Sequence, residues 1–200
     1  VSHLSGKIGC FFEKRGIQKA NIIICANQER AQKMQELYSL KRTPLVFENL
    51  RQLEYSSEQA FEVQEKRFTE YIHQDEFRII TTSGCSISRT NDVLVRNLKN
   101  VEKPCRLFMV GNSSPVDRHT IEQIVQEEGL HNVEIIGQLD RDALKYLISV
   151  SHIGIVNYHQ NDYNNRYCAS GKLFEFLYEG IPVVTTTNPP LRRFGEEFGV

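Results

Sequence analysis

No apolar run in this 200-residue sequence is long enough to cross a bilayer; the longest, such as residues 22–26, end after a few positions, and no signal-peptide pattern opens the chain. Charge of one sign is also missing. With 24 Lys and Arg against 25 Asp and Glu, the net charge is −1, which gives no support for a nucleic-acid partner. There is no C-x-x-C pair. The five cysteines, Cys10, Cys25, Cys85, Cys105 and Cys168, are odd in number and read as reduced thiols of a cytoplasmic protein rather than as a disulfide framework. The six histidines lack ligand spacing, so neither a metal nor a cofactor is expected. What is present, 40% hydrophobic and 24% charged residues, fits a globular protein of one domain or slightly more. The chain opens on Val1 without an initiator methionine and stops at Gly199 and Val200 after a charged segment. It is therefore read as a piece of a longer protein.

Residues 4–19 mix apolar and basic side chains and read as a helix, weakened by Gly9 and Gly16. Residues 21–26 form a short β-type run, and Asn27 caps a helix carrying Ala31, Met34, Leu37 and Tyr38. Residues 43–47 read as an extended link and 48–57 as a polar stretch without period, marking a junction between residues 1–45 and residues 46–200. Beyond it, Phe61, Gln64, Phe68 and Ile72 suggest a helix. A regular alternation then begins, with strands expected at 77–82, 106–110, 133–136, 152–156 and 183–186. The intervening helices use Val93, Leu94 and Leu98, then Ile121, Ile124 and Val125, then Leu144, Leu147 and Ile148. Ser114 with Pro115, and Asp140, cap two of them. Strands alternating with helices through short connections demand parallel pairing with right-handed crossovers, so the fold class is α/β, a Rossmann-like parallel sheet sandwiched by helices. Ligands of such sheets sit at the carboxyl ends of the strands.

The stretch 167–187 carries the most chemistry. Ser170 is a good N-cap, Leu173, Phe174 and Leu177 share a face, and Gly180 with Pro182 stops the helix, which is expected over residues 171–179. Its N-terminus at Gly171 offers unpaired N–H groups and the positive end of a dipole, and Lys172 adds a full charge. Glu175, three residues on, lies on the same stripe. A cation at a helix mouth with a carboxylate one turn behind suits a nucleotide diphosphate: phosphates want the cation, and ribose hydroxyls want the acceptor. An ordinary solvated face of helical ion pairs explains the same residues. The rim expected from the topology brings further candidates to that mouth. Gly84 follows the first strand of the main sheet and lets a ligand approach, or makes a plain turn. Arg89 reaches in from the next helix start, or is a surface charge. Gly137 could lie against a flat base, or merely end a strand. Asn164, Asn165 and Arg166 suit sugar hydroxyls, or form an Asn-rich turn.

The segments ending at Gly84, Gly111 and Gly137, residues 144–156, and above all residues 171–184 resemble the C-terminal, donor-binding half of GT-B fold, family 4 retaining glycosyltransferases. The resemblance spans residues 21–187 and makes residues 1–45 the end of an acceptor-binding N-terminal domain and linker. It implies a nucleotide diphosphate sugar donor, a glycan or lipid-linked acceptor in polysaccharide or surface glycan biosynthesis, and metal-independent transfer with retention. Membrane association would run peripherally, through the N-terminal domain. On this resemblance Lys172, Arg89 and Glu175 are the catalytic set, Glu175 holding the ribose, with Gly84, Gly137, Asn165, Arg166, Tyr167, Ser170 and Gly171 around the donor. Two departures stand out. Tyr167 occupies the position of a second glutamate, and Cys85 that of a basic residue, whose charge Arg166 would then supply. A GT-B sugar-nucleotide epimerase and a noncatalytic α/β interaction domain remain as alternatives.

Overall fold

A computed structural model describes residues 3–50, 56–168 and 170–199, with the side chains of residues 3–8 and of Cys10 outside that description. Parts of the polar 48–57 stretch, the chain ends and Ala169 therefore lie outside the described residues. Five strands, β3 (Phe77–Thr81), β4 (Cys105–Val110), β5 (Val133–Gly137), β6 (Ile153–Val156) and β7 (Val183–Thr185), form one sheet in the order β5-β4-β3-β6-β7. Every pairing is parallel. The expected alternation and strand type are both present.

Period-two side-chain alternation explains why the sheet has two cores. Ile80, Phe108, Val110 and Val156 point to one face. There they pack with Phe68 of α3 (Glu58–Phe68), Tyr146 and Leu147 of α6 (Arg141–Ser149), Leu173 and Phe176 of α8 (Gly171–Tyr178), and Leu191 and Phe194 of α9 (Pro189–Phe198). Their neighbours Ile79, Leu107, Met109 and Ile155 point to the other face, against Val95 of α4 (Asn91–Asn97) and Ile121 and Ile124 of α5 (Pro115–Glu127). Ser57, Ser114 and Asp140 each cap their helix by accepting a backbone N–H three residues on.

Two expected faces are rotated. In α4 the buried residues are Asn91 and Val95, continued by Leu98 just past its end, while Val93 is 54% exposed. In α8 the fully buried residues are Leu173 and Phe176, with Phe174 and Leu177 only partly covered. The reason is on the sheet: a Cβ at Gly154 of β6 would lie 2.5 Å from the Phe176 ring. The missing side chain is the seat for that ring, and the seat sets the rotation of α8.

Upstream, α1 (His3–Ile17) is followed by α2 (Gln28–Tyr38) with Asn27 as N-cap. The expected strand at 21–26 shrinks to β1 (Ile24–Cys25), and the expected link contains β2 (Leu45–Val46), which pairs with β1 in parallel. The 45/46 junction thus lies within β2. This segment is tied to the main sheet's helices: Arg193 of α9 donates to Glu29 at 2.7 Å and to Glu48 at 3.1 Å.

Candidate functional site

The mouth of α8 opens at the carboxyl ends of β3, β6 and β7. Ser170 occupies the N-cap position, but its side chain makes no capping bond to its own helix. Instead Ser170 Oγ accepts from the Tyr158 hydroxyl at 3.2 Å. The cap that would consume a first-turn N–H is therefore not made, and the dipole end keeps its donors for an anion.

Tyr158, the second residue after β6, is the hub. Its ring is buried and lies beneath the Arg89 guanidinium, 4.2 Å from the centroid. Arg89 closes a single 3-10 turn (Ile87–Arg89), and its Nη1 also donates to Asn165 Oδ1. Lys172, half-buried in the first turn of α8, feels the same cation. Burial first, and Arg89 in the same direction, push its ammonium down to about 8 against the opposing pull of Glu175 one turn behind. Arg89 and Lys172, from separate βα units, thus meet at one helix mouth. Two cations brought this close repel unless an anion enters, so the arrangement favours a polyanionic ligand.

Other rim residues have roles that differ from their sequence reading. Gly84 adopts φ +57, but the reason is internal. Its N–H donates to Val110 O, its carbonyl accepts from Asn91 Nδ2, and a Cβ would lie 2.6 Å from Asn112 O and Ser113 Oγ. Packing of one loop on the next, rather than ligand approach, requires that glycine. Cys85 is wholly buried in the α4–α5 core, so its position offers no charge to the cleft. Asn165, expected to meet sugar hydroxyls, is spent inside the protein. Its Oδ1 takes the Arg89 bond, its Nδ2 donates to Asp162 Oδ2 at 2.8 Å and lies 3.1 Å from His159 Nε2, and its carbonyl accepts from Asn188. It holds the cation in place.

Tyr167 pairs its ring with Tyr163 at 6.2 Å, and Arg166 is exposed, its guanidinium 6.0 Å from the Tyr167 ring. Both belong to the short helix α7 (Tyr163–Arg166) and its C-cap, a four-residue element inside what reads as an irregular loop. Gly137 has φ +82, and the space a Cβ would take is open, so the rim there is bare backbone. At Gly171 a Cβ would come 3.7 Å from Asn49 Nδ2, which places the 48–50 segment beside the mouth.

Sequence reasoning missed Tyr158, Asn91, Asn188 and Asn49. Position alone could have flagged Tyr158, two residues past a strand end on the ligand-binding rim. Asn91 is fully buried and clamps the 83–84 turn through Ser83 Oγ and Gly84 O. Nothing in the sequence distinguishes it from a helix-start asparagine. Among the described residues no group of three or more His, Cys, Asp or Glu could hold a metal ion, and no helix is long and apolar enough to cross a membrane.

No protein-family model and no curated protein matches this sequence. Solved structures do match. HepE from Anabaena, in complex with UDP and glucose, superimposes with a TM-score of 0.68 at 16% identity over 88% of this chain and 47% of that one. Sucrose-phosphate synthase from Thermosynechococcus elongatus gives 0.65 at 19% identity over 90% and 44%, and a glycosyltransferase from Rickettsia africae gives 0.65 at 18% over 86% and 47%. The chain spans about half the length of these structures. At such identities the likeness establishes the fold: an α/β unit with a parallel five-stranded sheet flanked by helices, the Rossmann-like C-terminal half of the GT-B architecture.

Proposed function

We propose that this chain carries the donor-binding half of a GT-B glycosyltransferase, acting on a nucleotide diphosphate sugar. The observation that carries the reading is the convergence of Arg89 and Lys172 on the uncapped N-terminus of α8. A pyrophosphate matches that site in charge and in its many acceptor oxygens, and Glu175 on the same helix suits the ribose hydroxyls. The fold-related HepE has been solved with UDP and with UDP-glucose, which supports the same ligand class here.

In the reaction so read, the bond between the anomeric carbon and the phosphate oxygen breaks with its electron pair collecting on the departing diphosphate, an acceptor hydroxyl oxygen bonds to the anomeric carbon from the same face, and its proton passes to that diphosphate. Arg89, Lys172 and the α8 dipole stabilise that charge as it develops, so they lower the barrier more than they tighten donor binding. Transfer proceeds with retention and without a metal, to a glycan or lipid-linked acceptor of polysaccharide or surface glycan assembly. The acceptor is held outside the 46–200 unit. Calorimetric titration with UDP and GDP tests the reading. Saturable binding of one of them, weakened in both Lys172→Ala and Glu175→Ala, is the expected result; a folded chain with no heat of binding to either at millimolar concentration sinks it.

A further inference from the structure

The loop that holds Arg89 is itself held from far away. Asn27, the buried N-cap of α2, accepts Arg30 N–H through Oδ1 at 2.7 Å, which leaves its Nδ2 for other work. That amide donates to the carbonyls of Tyr167 at 3.2 Å and Cys168 at 3.1 Å, the latter 141 positions along the chain. Arg30, three residues on in the first turn of α2, adds its fork. Nε donates to Tyr167 O at 3.1 Å, and Nη2 to both the carbonyl and Oδ1 of Asn164 at 3.0 Å.

The target of these bonds needs them. A four-residue helix cannot maintain its own conformation, and the carbonyls at its C-terminal end have no intrahelical partners. Asn27 and Arg30 supply partners for those of Tyr167 and Cys168 and fix Asn164 at the same time. Between these anchors lies Asn165, whose Oδ1 accepts from Arg89. The continuous path runs from α2 through loop 164–168 to the guanidinium that lies over Tyr158.

We infer that Asn27 and Arg30 are positioning residues for the anion site: they lock loop 164–168 so that Asn165 presents Arg89 to the mouth of α8. The inference rests on the proposed donor-binding reading and adds to it that diphosphate affinity is set in part by α2, acting through Asn165. A guanidinium whose anchor drifts loses alignment with a fixed phosphate, and a displacement of an ångström is enough to matter.

The test is calorimetry on the whole chain with UDP and GDP, using Arg30→Ala, Arg30→Lys, Asn165→Ala and the Arg30→Ala/Asn165→Ala double variant. Arg30→Ala is expected to weaken the diphosphate that binds by about tenfold, with Arg30→Lys close to it, because an ammonium cannot reproduce the fork. The double variant is expected to bind within about twofold of the weaker single variant, since both act on one path. Additive losses, full affinity in folded Arg30→Ala, or full affinity in Arg30→Lys would each overturn the inference. If Arg30→Ala does not fold, Arg30→Lys decides by the same comparison. A folded wild-type chain that binds neither nucleotide removes the donor-binding reading itself, which is a distinct result.

Discussion

The two ends of the sheet treat their cations in opposite ways. At the amino end Arg106 of β4 is 12% exposed in its side chain and pairs with two carboxylates, Glu76 at 2.6 Å and Glu134 on β5. Its hydrogen bond lowers the Glu76 carboxyl from its ordinary value. At the carboxyl end Arg89 is fixed by a neutral amide and a tyrosine ring, and Lys172 stands beside it with Glu175 one turn away. On the proposed reading, the difference separates a cation used for stability from cations kept for a ligand. A neutralised charge contributes through its partners and has nothing left for a third party, whereas a charge oriented by uncharged groups keeps its field.

Removing Arg106 is the most severe way to break this comparison. Arg106→Ala removes the cation that Glu76 and Glu134 share, leaving only Arg78 and His73, among the described residues, near Glu76, and is expected to cost about 3 kcal/mol in denaturant unfolding, with nucleotide affinity of the remaining folded protein unchanged. The pH dependence follows the sign of the Glu76 shift. Its folded value is depressed, so the wild-type contribution is present above the ordinary carboxylate range and fades as pH falls through the lowered value. Arg106→Ala should lose that acid-side slope. Next in size is Gly154→Ala, which drives a methyl group into the buried Phe176 ring. About 2 kcal/mol of stability should be lost, and because Phe176 seats α8, diphosphate affinity should fall with it, unlike in Arg106→Ala.

At the other end, Lys172→Ala is expected not to lower the unfolding midpoint, because it removes a buried cation that the fold disfavours at neutral pH, while weakening diphosphate binding about tenfold, or ~1.4 kcal/mol. An equal loss of stability and affinity would erase the distinction between the two ends. The remaining effects are in pH. Lys172 has a folded value of about 8 against 10.5 for a free lysine, so between these values the unfolded chain binds the proton that the folded chain has released. Stability should therefore rise with pH across that window by the share of this one group, and the rise should vanish in Lys172→Met. For binding the sign reverses. A diphosphate favours the charged ammonium, so affinity should fall as pH climbs through about 8, and titrations in buffers of different ionisation heat should reveal proton uptake.

Helix α8 was legible because its start and stop signals are local: Ser170, then an apolar face, then Gly180 and Pro182. The alternation of strands and helices implied a parallel sheet, and the rule that ligands gather at strand carboxyl ends was enough to bring Arg89 toward Lys172. The orientation within these elements was not legible. Phe176 rather than Phe174 faces the sheet because Gly154 leaves room for it, and the apolar pattern of α8 alone accommodates either. Asn165 looked like a sugar ligand because an amide in a rim loop has the right groups for one. Only its neighbours show those groups already engaged.

By itself the sequence determined the class of fold, the place of each strand of the main sheet and most ends of the expected helices, since these depend on periodicity and caps that act within a few residues. Tertiary structure alone decided what partners each rim residue finds: Gly84 as a packing glycine, Asn165 as the anchor of Arg89, Tyr158 as the hub, and Asn27 and Arg30 as holders of a loop 134 to 141 positions away. A side chain's role follows from which partners its donors and acceptors find. At this site those partners come from separate βα units that meet only when the sheet is assembled.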